Sequence, residues 1–475
     1  MKKLTFFLAV VALTGLSLSA NAQVTVVDSG YCGGVGDGKN LTWKLTSDSI
    51  LTISGSGTMT DYYTPWRSSY QTAIKKVIIG DSVTSIGDEA FYNVWINSVI
   101  IGNNVLTIGI AAFCWDDGLT SITIPNSVTT IGQDAFFCCS GLTSLIIGNS
   151  VKTIGKSAFG QCESLTSITI PNSVTSIENR AFLGCFNLMS INVSSNNSNY
   201  SSIDGIVYNK MQDTLILCPQ GKTGTVVIPN SVKAIGDEAF VSCQNLISIN
   251  IPNGVTSIGV HAFQACSSLS SVTIGNNVTT IGDYAFMHCI NLTTVTIPNN
   301  VTSIGEWAFN LCRNLISVTI GNGVTTIGDL AFSNCNSLTS ITCKSIIPPV
   351  LGTLVFDEVP ENIPVYIPCG TLDAYLNSDW IFFTNMIDSC STGIVETHCN
   401  ASLRICPNPT KGQLTIDCRD VINHVSTVEI FDVVGRNVGA NLRVRPDGVI
   451  IDISHLPAGI YFLKIGNNVV KFVKE

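Results

Sequence analysis

The residues best equipped for chemistry in this chain of 475 are 18 cysteines and five histidines. Eight of the cysteines fall three positions after a phenylalanine: Cys139, Cys162, Cys185, Cys243, Cys266, Cys289, Cys312 and Cys335. Cysteines in such number can pair as disulfides, bind a metal as thiolates or supply a nucleophile. Their spacing argues for none of these. Side chains one repeat apart on stacked coils stand near the ~4.8 Å separation of neighbouring strands. A disulfide takes Cβ atoms at about 3.8 Å, and a straight row lacks the convergent tetrahedral geometry of a metal site. The eight are expected to be small buried hydrophobes forming a thiol ladder. Neither a metal nor a cofactor is expected. Outside the ladder, Cys390 with Cys399 or Cys406 with Cys418 are candidate pairs, and spacing does not decide between them.

The histidines are His261, His288, His398, His424 and His455, and none forms a metal-binding pair of the H-E-x-x-H kind. No G-x-S-x-G elbow, Walker loop or dinucleotide fingerprint is present. The glycines of Gly33, Gly34, Gly36 and Gly38 lack phosphate-loop spacing and precede a strand. Adjacent carboxylates such as Asp237 and Glu238 sit at the start of a repeated short helix, where acidic residues suit the helix dipole. No catalytic residue is assigned, and the chain is expected not to be an enzyme.

The elements that position these residues follow from a repeat. An Ala-Phe pair ends at Phe91, Phe113, Phe136, Phe159 and Phe182, then at Phe240, Phe263, Phe286, Phe309 and Phe332. Its intervals are 22, three of 23, one of 58, then four of 23. In one unit Leu119, Ile122 and Ile124 alternate with polar residues as a short strand does. Pro125, Asn126 and Ser127 make a turn, and Val128 and Ile131 return to the core on a second extended piece. Gly132 then breaks the chain before a short helix carrying Ala135 and Phe136. Such coils stack into a solenoid with a parallel sheet along its length.

Charged residues are 12% of the chain, about half the ~25% of an ordinary domain. A formal net charge of −9 argues against a nucleic-acid partner, which needs basic stripes. After the first twenty residues no apolar run approaches the ~20 needed to span a membrane, so no transmembrane segment is expected in the mature chain. Lys2 and Lys3, an apolar run to about Leu18, and Ala20-Asn21-Ala22 read as a signal peptide over residues 1–22. The mature chain is expected to begin at Gln23.

The I-x-I-P-x-x-V-x-x-I-G-x-x-A-F-x-x-C pattern resembles the leucine-rich repeats of the BspA-like class, over roughly Ile74 to Asp388. The long interval, Asn199 to Tyr208 followed by Thr214 to Pro219, is read as a β-hairpin inserted around 195–222. A β cap over 23–68 is expected before a repeat region of 69–389, with Leu41–Leu45 and Ile50–Gly55 as a hairpin and Trp43 and Trp66 as plugs. A closing cap over 344–389 contains Pro348, Pro349, Tyr375 and Trp380. A linker over 390–402 leads to a module of Gly- and Pro-punctuated strands over 403–475, expected to be a small β-sandwich. Its blocks Pro407–Gly412, Asp432–Arg436 and Leu456–Tyr461 resemble the type A C-terminal sorting domain of the type IX secretion system. That resemblance implies export across both membranes, with the secretion machinery as partner of 403–475, and a final place at the cell surface or outside the cell.

Outward positions on the first strand form rows of Ser and Thr, which β propensity alone explains. The residue before Ala-Phe varies more: Arg180, Glu238, His261, Tyr284, Trp307 and Leu330. This stripe is a candidate binding surface, because Tyr and Trp are favoured at interfaces; plain solvent exposure is the competing reading. The resemblance to BspA-like proteins implies adhesion to host matrix proteins or to other cells, through a protein or cell-surface ligand. The alternative is a self-associating surface or biofilm component; a more distant one is glycan or ice binding by the hydroxyl rows.

Overall fold

The computed structural model describes residues 23–389 throughout and, beyond them, 404–406, 413–417, 428–432, 436, 438, 441–445, 448–465 and 468–474. The expected signal peptide, the linker over 390–402 and the block Pro407–Gly412 lie outside the described residues, as does at least one member of each candidate cysteine pair. Two compact units divide the chain, Met1–Lys210 and Met211–Glu475.

In the first unit Val26–Tyr31, Leu41–Thr46 and Ile50–Gly55 pair antiparallel, and Lys76–Ile79 and Ser98–Ile100 extend that sheet in parallel. The same strand recurs at Ser121–Thr123 and Ser144–Ile146, and at Ser167–Ile170 and Ser190–Val193, each pair parallel and in register. Inward Ile122 and Leu145 are buried while Ser121 and Thr123 face solvent, as a period of two requires. A second parallel sheet runs Gly57–Thr58, Val83–Ile86, Thr107–Ile108, Thr130–Ile131, Thr153–Ile154, Ser176–Ile177. In the second unit the first strand recurs from Gly224–Val227 to Asn385–Asp388, and the second from Thr214–Leu217 to Val350–Leu351.

The third side of each coil differs from expectation: the segment around Ala-Phe is not helical. The residue before each Ala-Phe has a left-handed backbone, with φ of 52° at Asp134, 55° at His261 and 56° at Trp307. A second such residue follows two positions after the Phe, as at Cys138 (φ 59°) and His288 (φ 61°). Left-handed residues interrupt the helical series of carbonyls. Alternate N–H groups therefore turn toward the next coil: Asp134, Phe136 and Cys138 donate to the carbonyls of Lys156, Ala158 and Gly160 at 2.8–2.9 Å. The backbone thus forms a third inter-coil ladder without being a strand.

The acidic residues after the glycine serve that ladder rather than a helix dipole. Oδ1 of Asp237 accepts the N–H of Val260, and Oδ1 of Asp283 accepts that of Glu306, both at 2.8 Å. The glycine itself is dictated by close approach. A Cβ on Gly155 would lie 2.7 Å from the carbonyl carbon of Gly132, and one on Gly282 equally close to that of Gly259.

The phenylalanines fill the coil interior as an offset stack. In the first unit Trp66, Phe91, Phe113, Phe136, Phe159 and Phe182 follow one another at 5.1–5.7 Å, and in the second Phe240 to Phe356 do so at 4.8–5.6 Å. Burying one such ring contributes about 1.5–3 kcal/mol. Trp66 closes its end with Nε1 donating to the Ala90 carbonyl at 3.0 Å. Trp380 does so in the closing segment, donating to Pro349 O at 2.9 Å, while the Tyr375 hydroxyl donates to Ser345 O at 2.7 Å.

The long interval holds a hairpin. Tyr200–Ile203 pairs antiparallel with Ile206–Asn209 across Asp204 and Gly205, both left-handed (φ 52° and 72°), as a two-residue hairpin turn demands. Thr214–Leu217 runs parallel to Ala234–Ile235, in the place of a coil's second strand. In the C-terminal region seven strands form two antiparallel sheets, one of Arg404–Cys406, Gln413–Asp417, Gly448–Asp452 and Asn441–Arg445, the other of Val428–Asp432, Gly459–Ile465 and Asn468–Lys474.

Candidate binding surfaces

The eight ladder cysteines are fully buried and their thiols are free. Seven of them do more than fill space. The Sγ of Cys139 donates to Phe113 O at 3.1 Å, and Cys162, Cys185, Cys266, Cys289, Cys312 and Cys335 make the equivalent bond at 3.1–3.3 Å. Most of these carbonyls also accept a backbone N–H from their own coil, as Phe136 O does from Cys139 at 3.2 Å, so the thiol fills the second lone pair and ties one coil to the next. Burial pushes the thiols of Cys139, Cys266, Cys289 and Cys312 well up, and that of Cys335 to about 12. Neutral buried thiols are poor nucleophiles. Cys369 is disulfide-bonded, a pairing absent from the candidates offered by sequence.

Two rungs of the ladder are not cysteine, and the first, three after Phe91, is the apolar Val94. Asp116 occupies the position three after Phe113 and has no solvent exposure. The coil preceding it is the one with a 22-residue interval, and the missing residue leaves three consecutive N–H groups turned inward. Oδ1 of Asp116 accepts all three, from Val94 at 3.1 Å, Trp95 at 2.7 Å and Ile96 at 3.3 Å. Oδ2 is buried with no partner among the described residues. Burial pushes the carboxyl up to about 8, against those three N–H bonds, which pull it down.

The variable stripe divides. Arg180 is exposed, whereas Glu238, His261, Tyr284, Trp307 and Leu330 are half-buried. His261, Tyr284 and Trp307 stack on one another, with centroids 4.6 and 6.1 Å apart and planes within 21°. Both faces of Tyr284 and one face each of His261 and Trp307 are thus taken up within the stack. His288 and His455 are exposed; His398 and His424 lie outside the described residues.

The aromatic side chains with open surface are elsewhere. Trp95 and Trp115, on adjacent coils of the first unit, are 54% and 46% exposed. Nε1 of Trp95 donates to Asn93 Oδ1 at 2.9 Å, and the Trp115 ring meets Phe137 edge-on at 6.3 Å. Sequence reasoning passed over both, because neither falls in the stripe; the shortened coil was the available signal. No cluster of three or more metal-binding side chains occurs among the described residues, and no helix among them is long and apolar enough to cross a membrane.

In the C-terminal region two of the sequence blocks form local locks. Arg436 donates from its backbone N and its Nε to the carboxylate of Asp432, at 2.9 and 2.7 Å, and the Tyr461 hydroxyl donates to Pro457 O at 2.9 Å. Residues 404–475 match a secretion system C-terminal sorting domain. Such a domain routes a protein through type IX secretion to the cell surface or beyond.

Residues 84–204 and 220–356 match the BspA type leucine-rich repeat region, in six copies. Similar solved structures include the pneumococcal vaccine antigen PcpA, at 20% identity and a TM-score of 0.58, covering 76% of this chain and 99% of that one. A leucine-rich repeat protein from Eubacterium ventriosum is 26% identical with a TM-score of 0.53, covering 70% and 95%. A leucine-rich cell surface protein from Faecalibacterium prausnitzii is 30% identical with a TM-score of 0.50, covering 66% and 95%. No curated protein matches the chain. No catalytic family is among those that match. The repeat match spans more than half of the sequence and agrees with the stacked coils above, so the chain belongs to the BspA-type leucine-rich repeat proteins.

Proposed function

We propose that this exported repeat protein binds other macromolecules at the bacterial surface without catalysing a reaction on them, and that its role is adhesion to host matrix or to other cells. One observation carries this reading: a sorting domain is joined to two arrays of coils whose strand faces are open, in register and almost uncharged. Ser121 lies against Ser144, Ser167 against Ser190, and Thr294 against Ser317. Large apolar side chains stand among these hydroxyls, with Ile146 58% and Val227 82% exposed. A face of this kind offers contact area at little desolvation cost, since few charges must be stripped of water.

The test is capture of partners by the purified full chain from host matrix proteins and from co-resident bacteria. Specific recovery of a matrix or foreign surface protein supports adhesion; recovery of the chain alone overturns it. One feature favours the second reading, self-association. The outermost strand Val26–Tyr31 has one edge without a partner strand among the described residues, and its Val26, Val27 and Tyr31, with Val24 just before it, are exposed by half or more. Exposed edges of that kind template further pairing. Light scattering at rising concentration separates the two, because only self-association raises the mass.

A further inference from the structure

The two exposed tryptophans stand on the shortened coil of the first unit, Trp95, and on the coil that follows it, Trp115. Losing a residue between Phe91 and Ser98 turns the N–H groups of Val94, Trp95 and Ile96 onto the buried carboxylate of Asp116. The backbone of Trp95 is thereby fixed to the coil that carries Trp115. Both residues are left-handed, with φ of 65° and 66°. A bulky side chain in that conformation costs about 1–2 kcal/mol, and at the equivalent of Trp115 the coils on either side carry Asn93 and Cys138. The indoles are held rather than loose. Trp95 Nε1–H is committed to Asn93, so that indole offers its ring surface and not its donor; Trp115 is braced by a T-shaped contact with Phe137. Phe137 in turn lies over Gly160, where a Cβ would come within 2.8 Å of its ring.

The rim completes the chemistry. Asn97 and Asp117, on the same two coils, are exposed. Oδ1 of Asp117 accepts the Ser140 hydroxyl at 2.9 Å, and the Asn97 carboxamide lies against Gly118, where a Cβ would be 2.7 Å from its oxygen. Exposed indole surfaces, with a carboxamide and a carboxylate two residues further along the same coils, suit a pyranose ring. Its axial C–H face packs on an aromatic surface, and its hydroxyls donate to and accept from such side chains. We propose that Trp95 and Trp115, with Asn97 and Asp117 at their rim, form a binding platform for the sugar rings of a neutral oligosaccharide. The platform deepens the adhesion reading, resting on the export and surface placement it assumes, and supplies a glycan as one ligand.

The experiment is titration of the full chain with cellohexaose, chitohexaose and mannohexaose, followed by calorimetry and by tryptophan emission. At least one of the three is expected to bind. Trp95→Ala and Trp115→Ala are each expected to weaken that binding about tenfold or more, a loss of ~1.4 kcal/mol. Trp95→Phe and Trp115→Tyr keep a ring and are expected to retain most of it, which separates a lost surface from a lost fold. Trp307→Leu, in the other unit, is expected to leave it unchanged. Circular dichroism of each variant establishes that the coils are intact. The proposal is overturned if none of the three sugars binds, or if binding survives the double alanine variant. It is equally overturned if only a protein partner is found at these tryptophans. Capture of a protein with no sugar binding would leave adhesion standing and sink the platform alone; sugar binding with no capture of any matrix or foreign surface protein would do the reverse.

Discussion

The two arrays of coils use one backbone and decorate it in opposite ways. In both, the residue before Ala-Phe is left-handed and the Phe rings stack at about one coil spacing. In the first array that residue is Ala111, Asp134 or Ser157, and the aromatic surface lies elsewhere, open, at Trp95 and Trp115. In the second it is His261, Tyr284 and Trp307, and the rings close on one another. The comparison shows that the Phe, Gly and Cys positions determine the coil, while the left-handed columns accept almost any side chain. Aromatic identity alone therefore does not mark a binding surface; what matters is whether the ring faces are already occupied.

The largest expected effect tests the shared half of that comparison. Phe136→Ala in the first array and Phe286→Ala in the second each remove a ring with two stacked neighbours. Each is expected to cost about 3–5 kcal/mol in denaturant unfolding of the full chain. Similar losses support a common core; a loss in only one array would show that the two cores are not equivalent.

Asp116 sharpens the contrast, since it replaces a ladder thiol in the first array only. Its carboxyl is raised from 3.8 to about 8 in the folded chain. The folded state therefore holds a proton that the unfolded state releases across this window. That contribution to stability is fully present below about pH 4 and is lost as pH rises through 8. The slope is at most about 1.4 kcal/mol per pH unit. Asp116→Asn keeps an acceptor for the three N–H groups and cannot ionise. Thermal unfolding of the two proteins between pH 5 and 8 is expected to diverge, with the wild type losing ground as pH rises. Parallel curves would mean that the carboxylate is charged throughout.

Smaller effects follow on the surface and in the glycine row. Gly282→Ala forces a Cβ against the Gly259 backbone and is expected to cost about 1–3 kcal/mol. Tyr284→Ser removes the middle ring of the outer stack, and its expected cost is about 0.5–1.5 kcal/mol. Were Tyr284→Ser without effect on stability, those rings would be free for a partner and the stripe would regain its standing as a binding surface.

Most of the fold is legible in the sequence because a period repeated ten times leaves little choice of architecture. Ile122, Val128, Ile131 and Phe136 fall where the alternation and the turn residues place them, and all are buried. The helix expected around Ala-Phe fails for a reason that propensity does not carry. Tyr284, Trp307 and Leu330 are not residues that announce a left-handed backbone, yet inter-coil hydrogen bonds hold them there. The role of the thiols beyond packing, as donors to Phe carbonyls, depends on atomic direction and has no signature in spacing. Asp116 and the exposed tryptophans had one, the single 22-residue interval with an acid where cysteine otherwise recurs.

The in-register core is tested most directly by mass-spectrometric alkylation of the eight ladder cysteines, without reductant, in the folded chain and again in guanidinium. A buried ladder of free thiols predicts that Cys139, Cys162, Cys185, Cys243, Cys266, Cys289, Cys312 and Cys335 stay unmodified when folded and all react once unfolded. Ladder cysteines that react in the folded chain, or that stay blocked in guanidinium because they are paired, would contradict it.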